Sequence, residues 1–387
     1  MRLSLATNWD DQLLDNYNEI NAECSGQITE VFGSLRNSIV GNARPTLCLP
    51  EVSPEEARRH IERAHQHGIK FNYTFNAVCT SGMEYQEEYQ KKVLAYLDEV
   101  VSMGIDSIVV AIPYYLEMIK AKYPGLQVKV SANSHVDTLN KLKIWEELGA
   151  DVIVLCDSIN RDFPLLKRTL EVSNVELELL TANSCLFHCP YQYYHQGLVC
   201  HMSQSEHPMN GVYMDYPVMH CTMEKFSKPE NLIRSRWIRP EDVAQYEELG
   251  FKRFKIGARQ ASTEWNTRVA RAYASRSYDG NLLEILQGLE PIADIDKKRV
   301  EGIGEGQWAL FKGGVEAFSD ASELLYVDNK KLDGFLEFYK TNTCRYNCID
   351  CKYCKSIADK VISVPDEERL ETLLEAFPFV FGGMFQN

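Results

Sequence analysis

Amphipathic helical segments and short apolar segments alternate along about the first 280 residues of the chain. In one copy, Ser53 and Glu56 form a capping box around Pro54, and Gly68 suits the left-handed residue that ends a helix. The strand-like segment Ile69–Phe75 follows directly. Because helix, glycine and strand recur in this order, the pattern predicts parallel strands joined by helices.

The same alternation gives eight candidate strands. Strands separated by helices form a parallel sheet, and eight such units predict an α/β fold, a closed (β/α)8 TIM barrel over residues 1–280. A doubly wound open sheet is the alternative, although no G-x-G-x-x-G follows the first strand. The candidate strands are Leu3–Thr7, Ile28–Phe32, Ile69–Phe75, Ile105–Ala111, Val128–Ala132, Val152–Leu155, Val175–Leu180 and Phe251–Ile256.

The alternation is interrupted once, between the seventh strand and the helix that begins at Pro240. Residues 184–238, approximately, form an insertion rich in Cys, His, Tyr, Met and Pro. An insertion after a barrel strand lies at the C-terminal face, where barrel enzymes place their chemistry. Beyond residue 280 the alternation stops, and residues 281–387 are predicted to form a small helical C-terminal domain.

The net charge and the composition of the chain argue against some classes of function. The net charge of −14 argues against a broad phosphate-binding surface, so a nucleic-acid partner is not expected. The chain has no apolar run of about 18 residues, so no membrane span is expected. Since no export signal precedes them, the twelve cysteines are expected to be reduced in a cytoplasmic protein, where clustered cysteines are typically metal-binding or catalytic.

Four cysteines fall within the insertion. Thiolates grouped in one loop can hold a [4Fe-4S] cluster or a structural zinc ion, and the remaining alternative is four unrelated reduced cysteines. This mouth group consists of Cys185, Cys189, Cys200 and Cys221.

A second group lies near the C-terminus and is more compact. Zinc sites usually join two separated pairs, whereas four cysteines within eleven residues are more typical of a second iron–sulfur cluster. The first three also match the radical-SAM spacing, but they follow the barrel, and the fourth would fill the iron site that SAM needs. This tail group consists of Cys344, Cys348, Cys351 and Cys354, and the other cysteines, Cys24, Cys48, Cys79 and Cys156, are interpreted as small buried hydrophobes.

The chain resembles peptidase family U32, the collagenase-like peptidases. Val128–Ala132, Val136–Leu148 and the strand that follows are similar to the family's central barrel segment. Phe254–Arg259 is similar to its F-K-I-E-G-R strand, with Gly257 in place of the glutamate. The mouth group falls where the family places four cysteines, but Leu180–Ser184 lacks the Glu and Gly that precede the family's first cysteine.

The resemblance implies a [4Fe-4S] cluster on the mouth cysteines. Characterised members support oxygen-independent hydroxylation of rRNA, tRNA uridine or a ubiquinone precursor, sometimes with prephenate as oxygen donor. We therefore expect an iron–sulfur oxidoreductase, a hydroxylase-type enzyme acting on a small molecule or peptide. The alternatives are a tRNA/rRNA-modifying hydroxylase and a non-catalytic scaffold or electron-transfer subunit bound to a protein partner or electron donor. Peptidase activity is not expected, because the chain has neither H-E-x-x-H nor G-x-S-x-G.

Six polar residues are candidate catalytic groups near the predicted barrel mouth. Arg259 is suited to clamp a carboxylate or phosphate, and its alternative role is an ion pair to Glu30 or Asp157. Asparagines at strand ends either bind a polar substrate or cap loops, and histidines in the insertion are candidate proton donors or iron ligands. The candidates are Glu30, Asn133, Asn183, His188, His195 and Arg259.

Overall fold

A computed structural model describes residues 1–211, 216–289, 321–341, 344 and 347–375. Eight parallel strands close into a barrel in chain order, and the last strand pairs with the first. The predicted (β/α)8 barrel is confirmed, and the open doubly wound sheet is wrong. The strands are β1 (Arg2–Ala6), β2 (Gln27–Gly33), β3 (Lys70–Phe75), β4 (Ser107–Val110), β5 (Gln127–Val130), β6 (Val152–Leu155), β7 (Glu176–Leu180) and β8 (Arg253–Ile256).

Helices surround the barrel, and the capping box at the second helix is present, with the Ser53 hydroxyl accepting the Glu56 N–H at 3.2 Å. Those in the barrel region are α1 (Asp11–Glu23), α2 (Pro54–Gln66), α3 (Glu87–Ser102), α4 (Pro113–Lys122), α5 (Leu139–Glu147), α6 (Phe163–Val172), α7 (Gln192–His201), α8 (Tyr216–Ser227), α9 (Glu230–Arg234), α10 (Val243–Leu249) and α11 (Thr263–Ser275).

Helix α5 begins three residues later than the sequence pattern predicts. Thr138 has an extended backbone with φ of −139° and ψ of 156°, which a continuous helix cannot include. The Thr138 side chain then caps the helix by accepting the Lys141 N–H at 3.3 Å. Val136 therefore lies in a loop, where its carbonyl accepts the Cys156 N–H.

The lower barrel interior holds a buried group of charges. Lys129 on β5 is fully buried, and its Nζ lies 2.5 Å from Glu30 Oε1 and 3.7 Å from Glu178 Oε2. Arg253 Nη2 lies 3.3 Å from Glu30 Oε2. Burial opposes ionisation of Glu30, yet Lys129 and Arg253 outweigh it and hold the pKa of this carboxyl below its usual value.

The prediction that Glu30 lies at the barrel mouth is wrong. β2 continues to Gly33, three residues beyond Glu30, so this side chain lies within the barrel. Its partners are Ser4, Lys129 and Arg253, which lie at a lower level of the barrel.

The insertion after β7 contributes α7, α8 and α9, and the tail packs beside it. Arg239, which directly follows the insertion, contacts the tail: its Nη1 donates to the Asn329 carbonyl at 2.6 Å and lies 3.1 Å from Asp333 Oδ1. The tail was predicted to be helical, but it also contains a short antiparallel pair of strands. Its elements are α12 (Ala321–Leu324), β9 (Tyr326–Val327), α13 (Glu337–Thr341), α14 (Tyr353–Val361) and β10 (Ile362–Ser363).

Residues 281–289 return to the barrel, although the sequence groups them with the tail. Gln287 N–H donates to the Ala182 carbonyl at 2.7 Å, and Ser184 N–H donates to the Gln287 carbonyl at 3.1 Å. This segment therefore borders the loop that carries Cys185. Within the described ranges, no helix is both long and apolar enough to cross a membrane.

Candidate active site

A cavity of about 300 Å³ opens at the C-terminal end of the barrel strands. Its volume is at the lower end of the range for small-molecule sites. Loops after the strands form one side, and helices α7 and α8 of the insertion form another. The lining residues used below are Arg44, Cys48, Asn133, Asp157, Asn183, Cys185, Cys189, His195, Gln196, Cys221, Lys225, Lys255, Arg259 and Gln287.

Three cysteines of the mouth group line this cavity, namely Cys185, Cys189 and Cys221. Cys200 does not line it. This residue is fully buried, and its Sγ accepts the Val78 N–H at 3.3 Å. Cys48, which the sequence marked as structural, does line the cavity.

The environment of Cys185 keeps its thiol protonated when no metal is bound. The residue is exposed to the cavity, but the protein atoms around its thiol exclude much of the solvent, and this desolvation raises the pKa of the thiol to about 12. The negative charge of Asp157 adds to the effect, whereas Lys225 opposes it. A bound metal ion would displace the proton, because metals coordinate the thiolate.

Lys225 places a buried positive charge beside the cysteines of the cavity. Its side chain is only 2% exposed, and its Nζ donates to Ser184 Oγ at 3.3 Å. No carboxylate among the described residues forms an ion pair with it, although a buried charge normally requires a counter-charge. A thiolate-bound metal cluster next to Cys185 would supply that negative charge.

The cavity therefore has two features that suit a metal cluster: cysteine thiols that can act as ligands, and the cation Lys225, which can balance the negative charge of the cluster. In the part of the chain that the structure describes, no three Cys, His, Asp or Glu side chains are already gathered closely enough to hold a metal ion. The side chains of the cysteines would have to move closer together to bind one.

Four of the six predicted catalytic residues line the cavity: Asn133, Asn183, His195 and Arg259. Asn183 Nδ2 donates to Asp157 Oδ2 at 2.7 Å, and burial raises the pKa of this aspartate. Gln196 Nε2 donates to Asn133 Oδ1 at 3.4 Å. These amides are held in place by neighbours while their cavity faces remain accessible to a ligand.

Arg259 is buried, and hydroxyl and amide groups hold its guanidinium. It donates to Ser34 Oγ and to the Asn42 carbonyl, and to Thr74 Oγ1 at 3.2 Å. Its described partners include neither Glu30 nor Asp157, so the alternative of a structural ion pair is wrong. Burial, and then the nearby charge of Arg44, lower the pKa of Arg259, but a guanidinium remains charged at neutral pH.

His188 lies outside the cavity wall. Its ring centroid is 3.9 Å from that of Phe187, and the backbone is left-handed with φ of 51°. Burial, and then the charge of Arg236, lower the pKa of His188. This predicted catalytic residue is therefore not part of the cavity.

The sequence interpretation missed two cavity cations, Arg44 and Lys225, and it matched Lys255 to the family's strand motif without making it a candidate catalytic residue. Lys255 Nζ lies 3.8 Å from the centroid of the Phe32 ring, and burial lowers the pKa of this amine to about 8. One local signal was available: Cys221 and Lys225 are four residues apart on α8, a spacing that puts them on one helix face.

The structure also contains a thiol–imidazole pair that the sequence did not reveal. Cys156 Sγ lies 3.7 Å from His135 Nδ1. Both residues are buried, neither lines the cavity, and burial raises the pKa of the Cys156 thiol to about 12. Reactive cysteines have lowered pKa values and access to solvent, so this pair is a poor nucleophile.

The tail cysteines lie next to the same loop from the opposite side. Arg236 Nη2 donates to Cys344 Sγ at 3.5 Å, and its Cζ lies 3.7 Å from the centroid of the Phe187 ring. The Cys354 thiol is 3.3 Å from the hydroxyl of Tyr339. Arg236 therefore contacts both cysteine-bearing regions.

The fold and the cavity define the class of protein, a TIM barrel with a cysteine-lined pocket at its catalytic face. The chain belongs to peptidase family U32, whose sequence model matches residues 42–280. It is 28% identical over 351 residues to a protein named uncharacterized protease MJ1657 of Methanocaldococcus jannaschii, covering 91% of this chain and 94% of that protein. The solved structure of the U32 peptidase Mk0906 aligns with 22% identity and a TM-score of 0.49, covering 66% of this chain and 92% of that chain.

Proposed function

We propose that this protein is an iron–sulfur-dependent enzyme that modifies a small anionic molecule, or a peptide bearing a carboxylate, in the mouth cavity. The reaction is an oxygen-independent hydroxylation, as the family resemblance implies. One observation carries the proposal: Cys185, Cys189 and Cys221 line the same cavity as the buried cations Lys225 and Arg259.

The mouth cysteines are the proposed holders of a [4Fe-4S] cluster, and the tail cysteines of a second one. Lys225 supports an anionic cluster, because it is a buried ammonium whose described partner is the Ser184 hydroxyl. When bound, a cluster supplies one-electron transfer. Zinc, the alternative at either site, would bind the same thiolates without redox chemistry.

The charges of the cavity wall favour an anionic substrate. Arg44, Lys255 and Arg259 join Lys225 there, whereas Asp157 is the one carboxylate among the described lining residues. Burial raises the pKa of Asp157. The net charge of the whole chain is −14, so the positive charge of the cavity wall is local. This local charge favours the binding of an anionic ligand.

A hydroxylation without O₂ takes its oxygen either from water, with an external two-electron oxidant, or from an organic hydroxyl donor; we propose the donor, here written R′–OH. Transfer to a substrate R–H gives R–OH and R′–H, which balances atoms and electrons without an external oxidant. We assign the proton transfer of this exchange to Asp157 and His195, which line the cavity together with Lys255. Arg259 is suited to hold a carboxylate of either reactant in a fixed orientation.

Two alternatives receive less support. A scaffold or electron-transfer subunit would not need a 300 Å³ cavity beside its cysteines. A thiol peptidase would need an accessible nucleophile, whereas the Cys156–His135 pair lies outside the cavity wall and its thiol pKa is raised by burial.

Anaerobic purification of the full chain, with iron, sulfide and zinc analysis and EPR spectroscopy, tests the proposal. We expect iron and sulfide in equal amounts and an EPR signal after reduction. Zinc in place of iron would overturn the proposed function. Hydrolysis of peptides by chelator-treated protein, lost in Cys156→Ala, would instead favour a metal-independent peptidase.

A further inference from the structure

We propose that Lys255 is a nucleophile whose amine forms an imine, a covalent C=N bond, with the carbonyl carbon of a small 2-oxo acid in the mouth cavity. Lysine amines form such bonds with carbonyl substrates in many enzymes. Lys255 lines the cavity from β8. A carbonyl-binding lysine goes beyond the proposed function, because its chemistry requires no metal cluster.

Lys255 reaches the cavity because of its position on β8. Side chains two residues apart on a strand face the same side, and Arg253 faces the barrel interior, where it contacts Glu30. Lys255 therefore points into the barrel at a level nearer to the C-terminal end, where it is partly exposed in the cavity. Barrel enzymes place their reacting groups at this end of the strands.

The amine of Lys255 has no hydrogen-bond or ion-pair partner among the residues that the structure describes. Its described contact is with the Phe32 ring, whose centroid lies 3.8 Å from Nζ. Lys225, the other described lysine of the cavity wall, is only 2% exposed and donates to Ser184 Oγ at 3.3 Å. Of these two amines, that of Lys255 is therefore the one available to a ligand.

Gly257 makes room for the aromatic ring beside this amine. A side-chain carbon at position 257 would lie 3.0 Å from Phe32 Cζ and 3.3 Å from Gln287 Oε1, closer than side chains ordinarily pack. Glycine at this position therefore allows the Phe32 ring to lie against Lys255. The ring excludes water from one side of the amine, and a desolvated lysine is more readily neutral.

Charged groups on several elements also act on Lys255. Glu178 on β7 and Glu30 on β2 favour its protonated form, whereas Lys129 on β5 and Arg259, just after β8, oppose it. Burial is the largest effect, and it lowers the pKa of the amine to about 8. About a tenth of the amine is therefore neutral at pH 7, and only the neutral amine attacks a carbonyl.

The guanidinium groups beside Lys255 indicate the ligand class. The charge of Arg259 lowers the pKa of Lys255, and the charge of Arg44 lowers that of Arg259, so the three cations are close together. Arg44 donates from Nε to Gln260 Oε1 at 3.0 Å and from Nη1 to the Ala43 carbonyl at 2.9 Å. Its Nη2 has no partner among the described residues and can donate to a carboxylate. A molecule with a carboxylate next to its carbonyl group suits this arrangement.

The covalent step needs no oxidant, reductant or further reactant. The nitrogen of Lys255 attacks the carbonyl carbon, and the carbonyl oxygen becomes a hydroxyl group by taking a proton from the nitrogen. This hydroxyl then leaves as water with the second proton of the amine. One C–N double bond forms, one C–O double bond is lost, and one water molecule is released.

Reductive trapping on the full chain tests the proposal. Pyruvate is added with sodium cyanoborohydride, which reduces an imine to a stable secondary amine, and the labelled lysines are located by peptide mass spectrometry. Labelling of Lys255 at pH 7 should be at least about tenfold faster than that of Lys352, an exposed tail lysine with an ordinary environment. Equal labelling of the two, or labelling of Lys225 in place of Lys255, would overturn the proposal.

Two arginine variants control for the loss of the amine. Lys255→Arg keeps the positive charge but cannot form an imine, so the cavity label should disappear while the circular dichroism spectrum stays that of wild type. Lys352→Arg should keep the label at Lys255. If Lys255→Arg does not fold, Lys255→Met takes its place. A pyruvate label that remains in the cavity of either Lys255 variant would contradict the assignment.

The pH dependence and the choice of carbonyl compound sharpen the test. Labelling of Lys255 should rise about tenfold from pH 7 to pH 9, as the amine with the lowered pKa loses its proton. Arg44→Gln should raise the pyruvate concentration for half-maximal labelling about tenfold and leave labelling by hydroxyacetone, a neutral ketone, unchanged. Equal effects on the two compounds, or no effect on pyruvate, would overturn the 2-oxo acid as the ligand class.

Iron is measured on the same preparation, so this proposal and the proposed function can fail separately. A label at Lys255 in protein without iron would support the imine and overturn the iron–sulfur enzyme. Protein that holds iron but gives no label at Lys255 would overturn the imine and leave the proposed function intact.

Discussion

The mouth and tail cysteine groups differ in spacing, surroundings and the space beside them. The tail group occupies eleven residues, and Cys351 is exposed to solvent. The cavity beside Cys344 measures about 10 Å³, which is too small for a substrate. The mouth cysteines are spread over 37 residues, yet three of them line a cavity of about 300 Å³.

The two cysteine groups show that the ability to bind a metal and the ability to hold a reacting substrate depend on different features of the protein. Compact spacing indicates that a segment can bind a metal, because the ligands are already close along the chain. A reaction site needs space and charge as well, and these come from elements distant in sequence. The tail group has the clearer motif, whereas the mouth group has the cavity, the buried Lys225 and the held Arg259.

The largest expected effect is on metal content. Cys185→Ser and Cys344→Ser should each remove about half of the bound iron, and the double variant nearly all of it, because the two groups are proposed to bind separate clusters. Iron and sulfide analysis after anaerobic purification measures this. If Cys344→Ser leaves the iron content unchanged, the tail group is not an iron site. The mouth group would then hold the bound iron alone.

Removing a charge from the barrel interior should lower the free energy of unfolding far more than removing one from the tail. Glu30→Gln should lower the free energy of unfolding at pH 7 by about 3–5 kcal/mol, because Lys129 and Arg253 lose a buried partner. Glu371→Gln, an exposed tail control, should change it by less than about 0.5 kcal/mol. Urea denaturation measures both.

The difference between wild type and Glu30→Gln should also depend on pH. The folded-state pKa of Glu30 is lowered, so its stabilising contribution is present above the unfolded-state pKa and is lost as the pH falls through the folded-state value. The difference between the two proteins should therefore begin to shrink as the pH falls below about 4, near the unfolded-state pKa, and should vanish below the folded-state pKa. A constant difference from pH 7 to pH 3 would contradict this account.

A smaller effect is expected on anion binding at the mouth. Lys255 has a pKa lowered to about 8, so it is charged at pH 7 and mostly neutral at pH 9. Succinate, used as a dicarboxylate probe, should bind up to about tenfold more weakly at pH 9 than at pH 7. Calorimetry should show no such change in Lys255→Met, whereas the exposed tail variant Lys352→Met should behave as wild type.

The smallest effect concerns the contact between the two regions. Arg236→Gln removes the donor to Cys344 and the cation stacked on Phe187, so the tail cluster should lose iron to a chelator several-fold faster. The EPR spectrum of the mouth cluster should shift slightly as the loop with Cys185 and Cys189 relaxes. Lys355→Gln, an exposed control on α14, should change neither. Identical kinetics in Arg236→Gln and wild type would mean that the two regions are independent.

Much of the site was predicted from sequence because strand ends converge in any parallel barrel. Asn133, Asn183 and Arg259 follow predicted strands and line the cavity. Glu30 was misplaced because an apolar pattern fixes the end of a strand only to within a few residues. Lys225 was missed because a lysine on a surface-like helix is ordinarily solvated, and its burial depends on the packing of α8.

The sequence by itself determined the barrel and the approximate position of the active face, because helix and strand periodicities are local properties of the chain. The two cysteine groups were also evident from spacing alone. Only the tertiary structure decided which cysteines share a cavity, since the rotation of α7 turns Cys200 away and the loop after β2 brings Cys48 in. These outcomes depend on contacts between residues far apart in sequence, such as Cys200 with Val78, which no local pattern encodes.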